Sequence, residues 1–467
     1  MPLYDLAFYF IIFFLVGVVF ASVGFSLLVV LGVVLSGALA IFFVLSRHYA
    51  TLFLIPSVLL GFVYFNIYSD IFYIEHIPLE EKAVFQGVVA REPVYGLTSQ
   101  RLAFKLQPPH RGEVMVYTAP YPRYVYGDLL AVTGTVEKSA SGALNIMSFP
   151  EVTHVASGKG NAVKQALFTF KRRFVANLER VLPPEEAALL AGETVGDRAG
   201  FSKPFTEAMK LSGTTHIVAL SGHNISVVIF AVMWAFGFFF SRRVSFYASV
   251  FFITLFVVMT GAEASVVRAG IMGILILLAV QADRLYSVRN ALALTAFGMT
   301  LHDPRVLVFD VGFQLSFGAL LGIVYFMPLL KHFFNVNDEG FLGWKYNALT
   351  TVSAQIGVLP LLLYHFGYFS LLSIAANVLI LEAVPYTMGL GFLTGFTGFA
   401  SDALSQVFAR SAHLLLYYQI AVISFFSNIP WGISLTSLPW TALGIYYGFL
   451  AWGMIYGYRK YKLTPTL

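Results

Sequence analysis

Apolar runs of about 20 residues recur along this chain, each long enough to cross a roughly 30 Å hydrocarbon core as a helix. They fall into two blocks. The first holds Leu6–Gly24, Ser26–Leu45 and Thr51–Tyr68. The second holds Ile217–Phe240, Ser245–Thr260, Ser265–Val280, Ala291–Leu301, Val306–Met327, Ala348–His365, Leu371–Phe399, Ser411–Phe426 and Leu438–Tyr456. This pattern predicts a polytopic α-helical membrane protein of about 12 spans. Ala291–Leu301 is too short to cross alone, and a re-entrant segment there would lower the count.

Between the blocks, from Glu75 to about Gly160, apolar runs shorten to strand length: Ala83–Ala90, Arg101–Gln107, Glu113–Thr118, Asp128–Val136 and Ala143–Phe149. Turn signals separate them, including EPVYG, PPHRG and SASG. Five short strands over this length predict a small inserted β-barrel of the OB type, with a β-sandwich as the alternative. Asn161–Leu182 then returns to helical spacing, with Val163, Leu167, Phe170, Phe174, Leu178 and Val181 in one stripe and Lys164, Lys171, Arg172 and Arg173 off it. Two readings fit, an interfacial helix lying on membrane lipids and an approach path for a polyanion. The chain thus divides into a membrane segment at 1–72, a β-domain at 75–158, a basic helix and polar connector at 161–213, a membrane domain at 214–458 and a tail at 459–467.

Composition agrees. Of 467 residues 58% are apolar and 11% charged, against about 25% charged in a soluble domain. No cysteine is present, which excludes disulfides, iron–sulfur clusters and cysteine-based zinc sites. The N-terminus has no basic n-region and reads as a retained first span. Loop charges set an orientation. Arg242/Arg243, Arg284/Arg289, Lys331/Lys345, Arg410 and Arg459/Lys460/Lys462 share one side if each segment crosses once, and Arg305 falls opposite. By the positive-inside rule both termini are cytoplasmic and the β-domain is outside.

Candidate chemistry concentrates in Ser212–Ser226, SGTTHIVALSGHNIS, which opens a membrane-length run yet carries His216, Ser221, Gly222, His223 and Asn224. Hydrocarbon satisfies no polar group, so each must face protein or an aqueous cavity. Glu263, Arg268, Asn290, Asp310, Gln314, Gln355, Asn377 and Glu382 interrupt other spans. For each, an interhelical clamp such as Glu263 with Arg268 stands beside a polar pathway; as a set they point to a polar interior. His216 and His223 share a helical face, but no HxxxH, HExxH or HxH pattern supplies further ligands, so no metal or other cofactor is expected. Ser221 and His223 do not face each other on a helix, and no GxSxG elbow occurs. In the β-domain Tyr117, Tyr121, Tyr124 and Tyr126, with Arg123 among them, could stack bases. The region from Glu75 to Gly160 is neutral overall, with eight Lys/Arg and eight Asp/Glu.

The stretch GETVGDRAGFSKPFTEAMKLSGTTHIVALSGHNISVV, followed in order by TGAEASVVRAGIMG, by the run from ADRLYSVRN to DVGFQLSFGALLG, and by SAQIGVLPLLLYHFGYFSLLSIAANVLI, resembles the ComEC-type competence proteins. QGVVAREPV, GEVMVYT and YGDLLAVTGTV resemble the extracellular OB-like region of that family. The resemblance implies a channel that carries single-stranded DNA across the bacterial cytoplasmic membrane during transformation. It carries over Asp197, Arg198, His216, Ser221, Gly222, Arg268, Asn290, Asp310, Gln314, Gln355 and Asn377. Where many relatives read SGLH this chain reads SGHN, which displaces the histidine by one. Many relatives also continue into a metallo-β-lactamase-like domain, whereas this chain ends at Leu467 without an HxHxDH pattern. The expectation is a translocase that is not itself an enzyme, having no nuclease and no GxxxxGK[ST] loop. It would work with a separate receptor, nuclease and motor, and homo-oligomerisation is left open. Arg268 is a candidate phosphate contact, and Lys164–Arg173 with the β-domain would guide the strand. A transporter of a smaller anionic solute or lipid-linked precursor is the alternative; an intramembrane enzyme centred on Ser221 comes third.

Overall fold

The computed structural model describes residues 3–33, 54–72, 77–96, 98–138, 145–218, 220, 222–336, 344–429, 431–435 and 438–462. The β-domain contains β1 (Lys82–Val89), β2 (Val94–Tyr95), β3 (Gln100–Leu106), β4 (Glu113–Thr118), β5 (Leu129–Thr135), β6 (Glu137–Lys138), β7 (Asn145–Ser148) and β8 (Glu151–Ala156). They pair in the order β6-β7-β4-β3-β1-β5-β8, with β2 on β3. All pairings are antiparallel except β4 with β7. Alternate side chains turn inward, so Phe85, Leu102, Phe104, Val114, Val116, Leu130, Val132 and Met147 form one apolar core. The five expected strands are all present as β1, β3, β4, β5 and β7. The expected strands omit β2, β6 and β8. Two of these hold only two residues, and β8 has no buried side chain, so none carries a period-2 apolar signal.

The first two helices, α1 (Leu3–Ser22) and α2 (Leu54–Phe72), cross where Gly17 meets the Val58 carbonyl and Gly61 meets the Phe14 carbonyl. A Cβ at either glycine would overlap backbone, so the close crossing requires both. After the β-domain come α3 (Ala162–Glu179), α4 (Pro184–Val195), α5 (Lys203–Ser212) and α6 (Thr215–Val218). The stripe expected on α3 docks in part: Leu167, Phe174, Leu178 and Val181 face the core, whereas its other two members turn away. Val163 is exposed and Phe170 is 37% exposed, while Phe168, Lys171, Phe174, Asn177 and Leu178 are buried. The cause is a polar contact that periodicity cannot anticipate: Lys171 Nζ lies 2.8 Å from Glu92 Oε2 of the β-domain, both largely out of solvent. Asn161 caps the same helix by accepting from the Val163 and Lys164 amides, and its own N–H donates to the Tyr126 hydroxyl.

The remaining helices are α7 (Gly222–Phe239), α8 (Arg242–Met259), α9 (Ala264–Gln281), α10 (Val288–His302), α11 (Val306–Phe309), α12 (Val311–Phe334), α13 (Trp344–Phe366), α14 (Ser373–Leu381), α15 (Val384–Thr397), α16 (Asp402–Ser427) and α17 (Trp440–Tyr461). Among the described residues six helices are long and apolar enough to cross a membrane, at 4–22, 242–259, 264–281, 311–334, 344–366 and 402–427. The run expected at Leu371–Phe399 is two helices, α14 and α15, meeting at a 51° bend, and would make a seventh. That expected at Val306–Met327 breaks at Asp310 into α11 and α12. The run expected at Ile217–Phe240 comprises α6 and α7, with Ala219 and Ser221 outside the described residues. The span expected at Ser26–Leu45 lies outside them beyond Val33.

Contacts sort the helix ends into two sets. Asp5 accepts from Arg289, and Arg242 pairs with Asp283 at 2.9 Å, which joins the starts of α1, α8 and α10 to the end of α9. The Tyr64 and Tyr68 hydroxyls donate to the Leu301 and His302 carbonyls, which joins the ends of α2 and α10.

Helices α12 and α13 approach most closely where Gly318 and Gly322 face Gly357 and the Ser353 carbonyl. Gly357→Val would drive side-chain atoms into the Gly318 carbonyl, so it is expected to cost roughly 3 kcal/mol and lower the melting temperature in detergent. An unchanged melting temperature would show that these helices can part freely.

Candidate functional site

Arg268 lies in the second turn of α9 and is only 9% exposed. Its Nε donates to Ser316 Oγ at 2.6 Å, its Nη1 lies 3.8 Å from Met272 Sδ, and its guanidinium stands 6.0 Å from the Phe317 ring centroid. Its Nη2 reaches toward Gly222, the first residue of α7, where a Cβ would sit 3.2 Å away. The amide end of α7 is itself partly positive, so two positive elements meet in an apolar block. The clamp expected between Glu263 and Arg268 does not form: Glu263 pairs with Arg198 at 2.8 Å. Among the described residues no acidic side chain stands within ion-pair distance of Arg268. A buried cation without a counter-ion is an electrostatic vacancy for an anion.

The other polar residues fall into separate groups. Gln314 donates to the Leu307 and Val308 carbonyls freed at the α11–α12 break, and its Oε1 meets His365 Nε2 at 2.9 Å. Asp310 caps α12, its Oδ1 accepting from the Phe313 amide at 2.7 Å, so both residues support the break itself. Gln355 donates to Ser373 Oγ at 2.7 Å, and Ser373 donates to the Ser370 carbonyl. Gly213 packs against both serines, which ties the start of the Ser212–Ser226 stretch to α13 and α14. Asn224 is buried and donates to the Glu193 carbonyl at 3.0 Å. Asn377 is buried with its Oδ1 unpaired, and Asn290 accepts from Arg289. Glu382 accepts from Asn347, and Asp197 accepts from the Ala199 amide. His216 is exposed on α6. Ser221 and the side chain of His223 lie outside the described residues.

On the β-domain, Arg123 stands over two rings, 5.3 Å from the Tyr95 centroid and 5.6 Å from that of Tyr121, which is 71% exposed. Burial pushes the Tyr95 phenol above its usual range against the nearby Arg172 guanidinium, which places α3 beside this cluster. Two tyrosines expected on this face belong to the interior. Tyr124 packs in the β-core, and Tyr126 stands edge-on to Phe168 at 5.2 Å. Tyr117 is half-buried on β4 opposite Arg101. Of the basic residues on α3, Lys164 and Arg173 are exposed and Arg172 is half-buried, but Lys171 is consumed by its ion pair with Glu92. The exposed cations that remain are too few to make α3 a basic stripe by itself. Sequence reasoning missed Tyr95, His365, Glu193, Thr387 and Gln419. Gln419, inside the apolar run LLLYYQIAVISFF, carried a signal of the same kind as Gln355.

Apolar helices long enough to span, an inserted β-domain and polar groups buried between helices define a polytopic membrane protein. A family model described as "Competence protein" matches residues 194–460. The chain belongs to that family. It is also similar to ComE operon protein 3 of Bacillus subtilis (strain 168), with 25% identity over 313 residues, 63% of this chain and 38% of that relative. The match therefore spans well under half of the relative's length. No solved structure matches.

A buried guanidinium kept without a counter-ion should cost stability. Arg268→Met, which keeps the stem and removes the charge, is expected to leave the detergent-solubilised protein as stable or about 1 kcal/mol more stable by thermal melting. A large drop in melting temperature would make Arg268 a structural clamp instead.

Proposed function

We propose that this chain forms the passage by which one strand of DNA crosses the cytoplasmic membrane during competence, acting as a translocase and not as an enzyme. Family membership gives the setting, and Arg268 is the observation that carries the substrate. A desolvated guanidinium beside a helix amide end suits a phosphodiester, which brings the missing negative charge and accepts several hydrogen bonds. Arg268 alone would suit any phosphate-bearing solute, including a lipid-linked one. The cluster of exposed Tyr121 and Arg123 with half-buried Tyr95 favours nucleic acid, because it offers stacking surface and charge together.

The strand pairing supports an OB-type barrel. β6 directly follows β5 yet pairs with β7 while β5 pairs with β1, so one bent strand would close the sheet, with β4 and β7 parallel. The two sets of helix ends favour the orientation read from loop charge. The ends near Asp5, Arg242 and Arg289 would be cytoplasmic, and those near Tyr68 and His302 would share the outer side with the β-domain. About 12 spans would require the shorter helices to cross as well. A separate receptor, nuclease and motor would complete the pathway.

In a transformable strain lacking its own family member, this chain should restore uptake of labelled DNA. Arg268→Met should lower it at least tenfold, about 1.4 kcal/mol, while Arg268→Lys retains part. Normal transformation after deletion of the gene in its own host would end the channel reading. For the purified protein, Tyr121→Ala should weaken binding of an oligothymidine by about 1–3 kcal/mol. Arg123→Ala should flatten the salt dependence by roughly 0.7 in log–log slope. Unchanged binding in both would leave the β-domain with a structural role.

A further inference from the structure

Glu193, in the last turn of α4, has no exposed surface. It ties together three helices remote in sequence. Its backbone carbonyl accepts from Asn224 Nδ2 at 3.0 Å at the start of α7. Its Oε2 lies 2.7 Å from Thr387 Oγ1 on α15, and Gln419 of α16 donates Nε2 to that same hydroxyl at 3.1 Å. Asn224, Thr387 and Gln419 are each at most 2% exposed.

Counting donors decides the state of this carboxyl. Two acceptors in the cluster, Glu193 Oε1 and Gln419 Oε1, are buried without a partner. An ionised carboxylate would add charge to a site already short of donors. Among the described residues no cation balances it. On α4, Glu186 is paired with His413 of α16 at 2.7 Å. On α3, Lys171 is held by Glu92, and Arg180 pairs with Asp402 of α16. Arg410 on α16 and His216 on α6 are exposed, and Tyr386 on α15 is 68% exposed. The His223 side chain on α7 lies outside the described residues. A proton on Glu193 supplies the hydroxyl donor that the orphaned acceptors lack. Burial accordingly pushes the carboxyl up to about 8, against the opposing hydrogen bonds from Thr387 and Gln419.

We propose that Glu193 is a proton-binding site whose occupancy sets how firmly α4 holds the start of α7 against α15 and α16. In the protonated form the three helices stay locked. When the carboxyl O–H breaks and the proton leaves to water, a buried negative charge remains without a counter-ion, and α4 moves off Thr387 and Gln419 to admit water. That movement reaches the Ser212–Ser226 stretch through packing: a Cβ at Gly192 would stand 3.1 Å from Val218 Cβ, and one at Gly196 would stand 2.7 Å from Leu220 Cδ1. The proposal does not depend on what the passage carries.

The chain has no cysteine, so Thr215→Cys, on the exposed side of α6, gives a single thiol to follow with a maleimide in detergent. Glu193→Gln holds the site neutral and cancels the thiol's own pH dependence. The labelling rate of Thr215→Cys alone, divided by that of Thr215→Cys/Glu193→Gln, should rise about threefold or more between pH 7 and pH 9, with a midpoint near 8. Thr387→Val, which removes a hydrogen bond favouring the charged form, should move that midpoint upward. Stability gives a second readout. A carboxyl raised from 4.5 binds its proton more tightly in the native state, so its contribution is complete below about pH 4.5 and is lost as pH rises toward 8. The melting temperature should therefore fall over that window in the parent and stay level in Glu193→Gln. A flat rate ratio overturns the proposal, as does the same melting profile in both proteins. Should Glu193→Gln fail to fold, the parent's melting profile decides: a fall in melting temperature over the same pH window with and without Thr387→Val overturns the proposal.

Discussion

Hydrocarbon returns no hydrogen bonds, and the interior of this protein is arranged around that constraint. Every interruption of a membrane helix frees backbone groups that some side chain must meet. Asp310 and Gln314 meet them at the break before α12, and His365 holds Gln314 in place. Gln355 and Ser373 do the same around the loop that receives Gly213. Most of the polar residues buried in this block are thus satisfied locally, and they build geometry before they can touch a ligand.

Two groups stand apart because their deficit is one of charge. Among the described residues Arg268 keeps its cation beside a hydroxyl, a thioether and an aromatic ring, with no carboxylate paired to it. Glu193 has no cation beside it among the described residues, and in the proposal above a proton takes the place of one. They approach the same short segment, Arg268 at Gly222 and Glu193 through Asn224. The start of α7 therefore touches both a site that invites an anion and a site that takes up a proton. An element fixed by two such incomplete contacts is easier to move than one fixed by packing alone.

The β-domain is joined to this block through α3. Glu92 and Tyr126 grip its first half, and Gly395 and Gly398 of the α15 end admit Phe174 and Asn177 of its second half. The ion pair with Glu92 is why α3 presents a lysine inward, and why the remaining cations point elsewhere. The aromatic–cation cluster at Tyr95, Tyr121 and Arg123 then faces solvent from a domain that is firmly seated.

The sequence by itself determined the class of the protein, the β-domain and its five main strands, and where polar residues interrupt the apolar runs. Hydropathy and period-2 alternation are local and survive without any knowledge of neighbours. What it could not determine is which polar groups pair. Glu263 sits five residues from Arg268, yet bonds to Arg198, which approaches from the end of another helix. Lys171 reads as one of four exposed cations until Glu92, 79 residues away, is placed beside it. Glu193 reads as a polar connector residue until α15 and α16 close over it. A charge's role depends on what stands within a few ångströms of it, and only tertiary packing decides that.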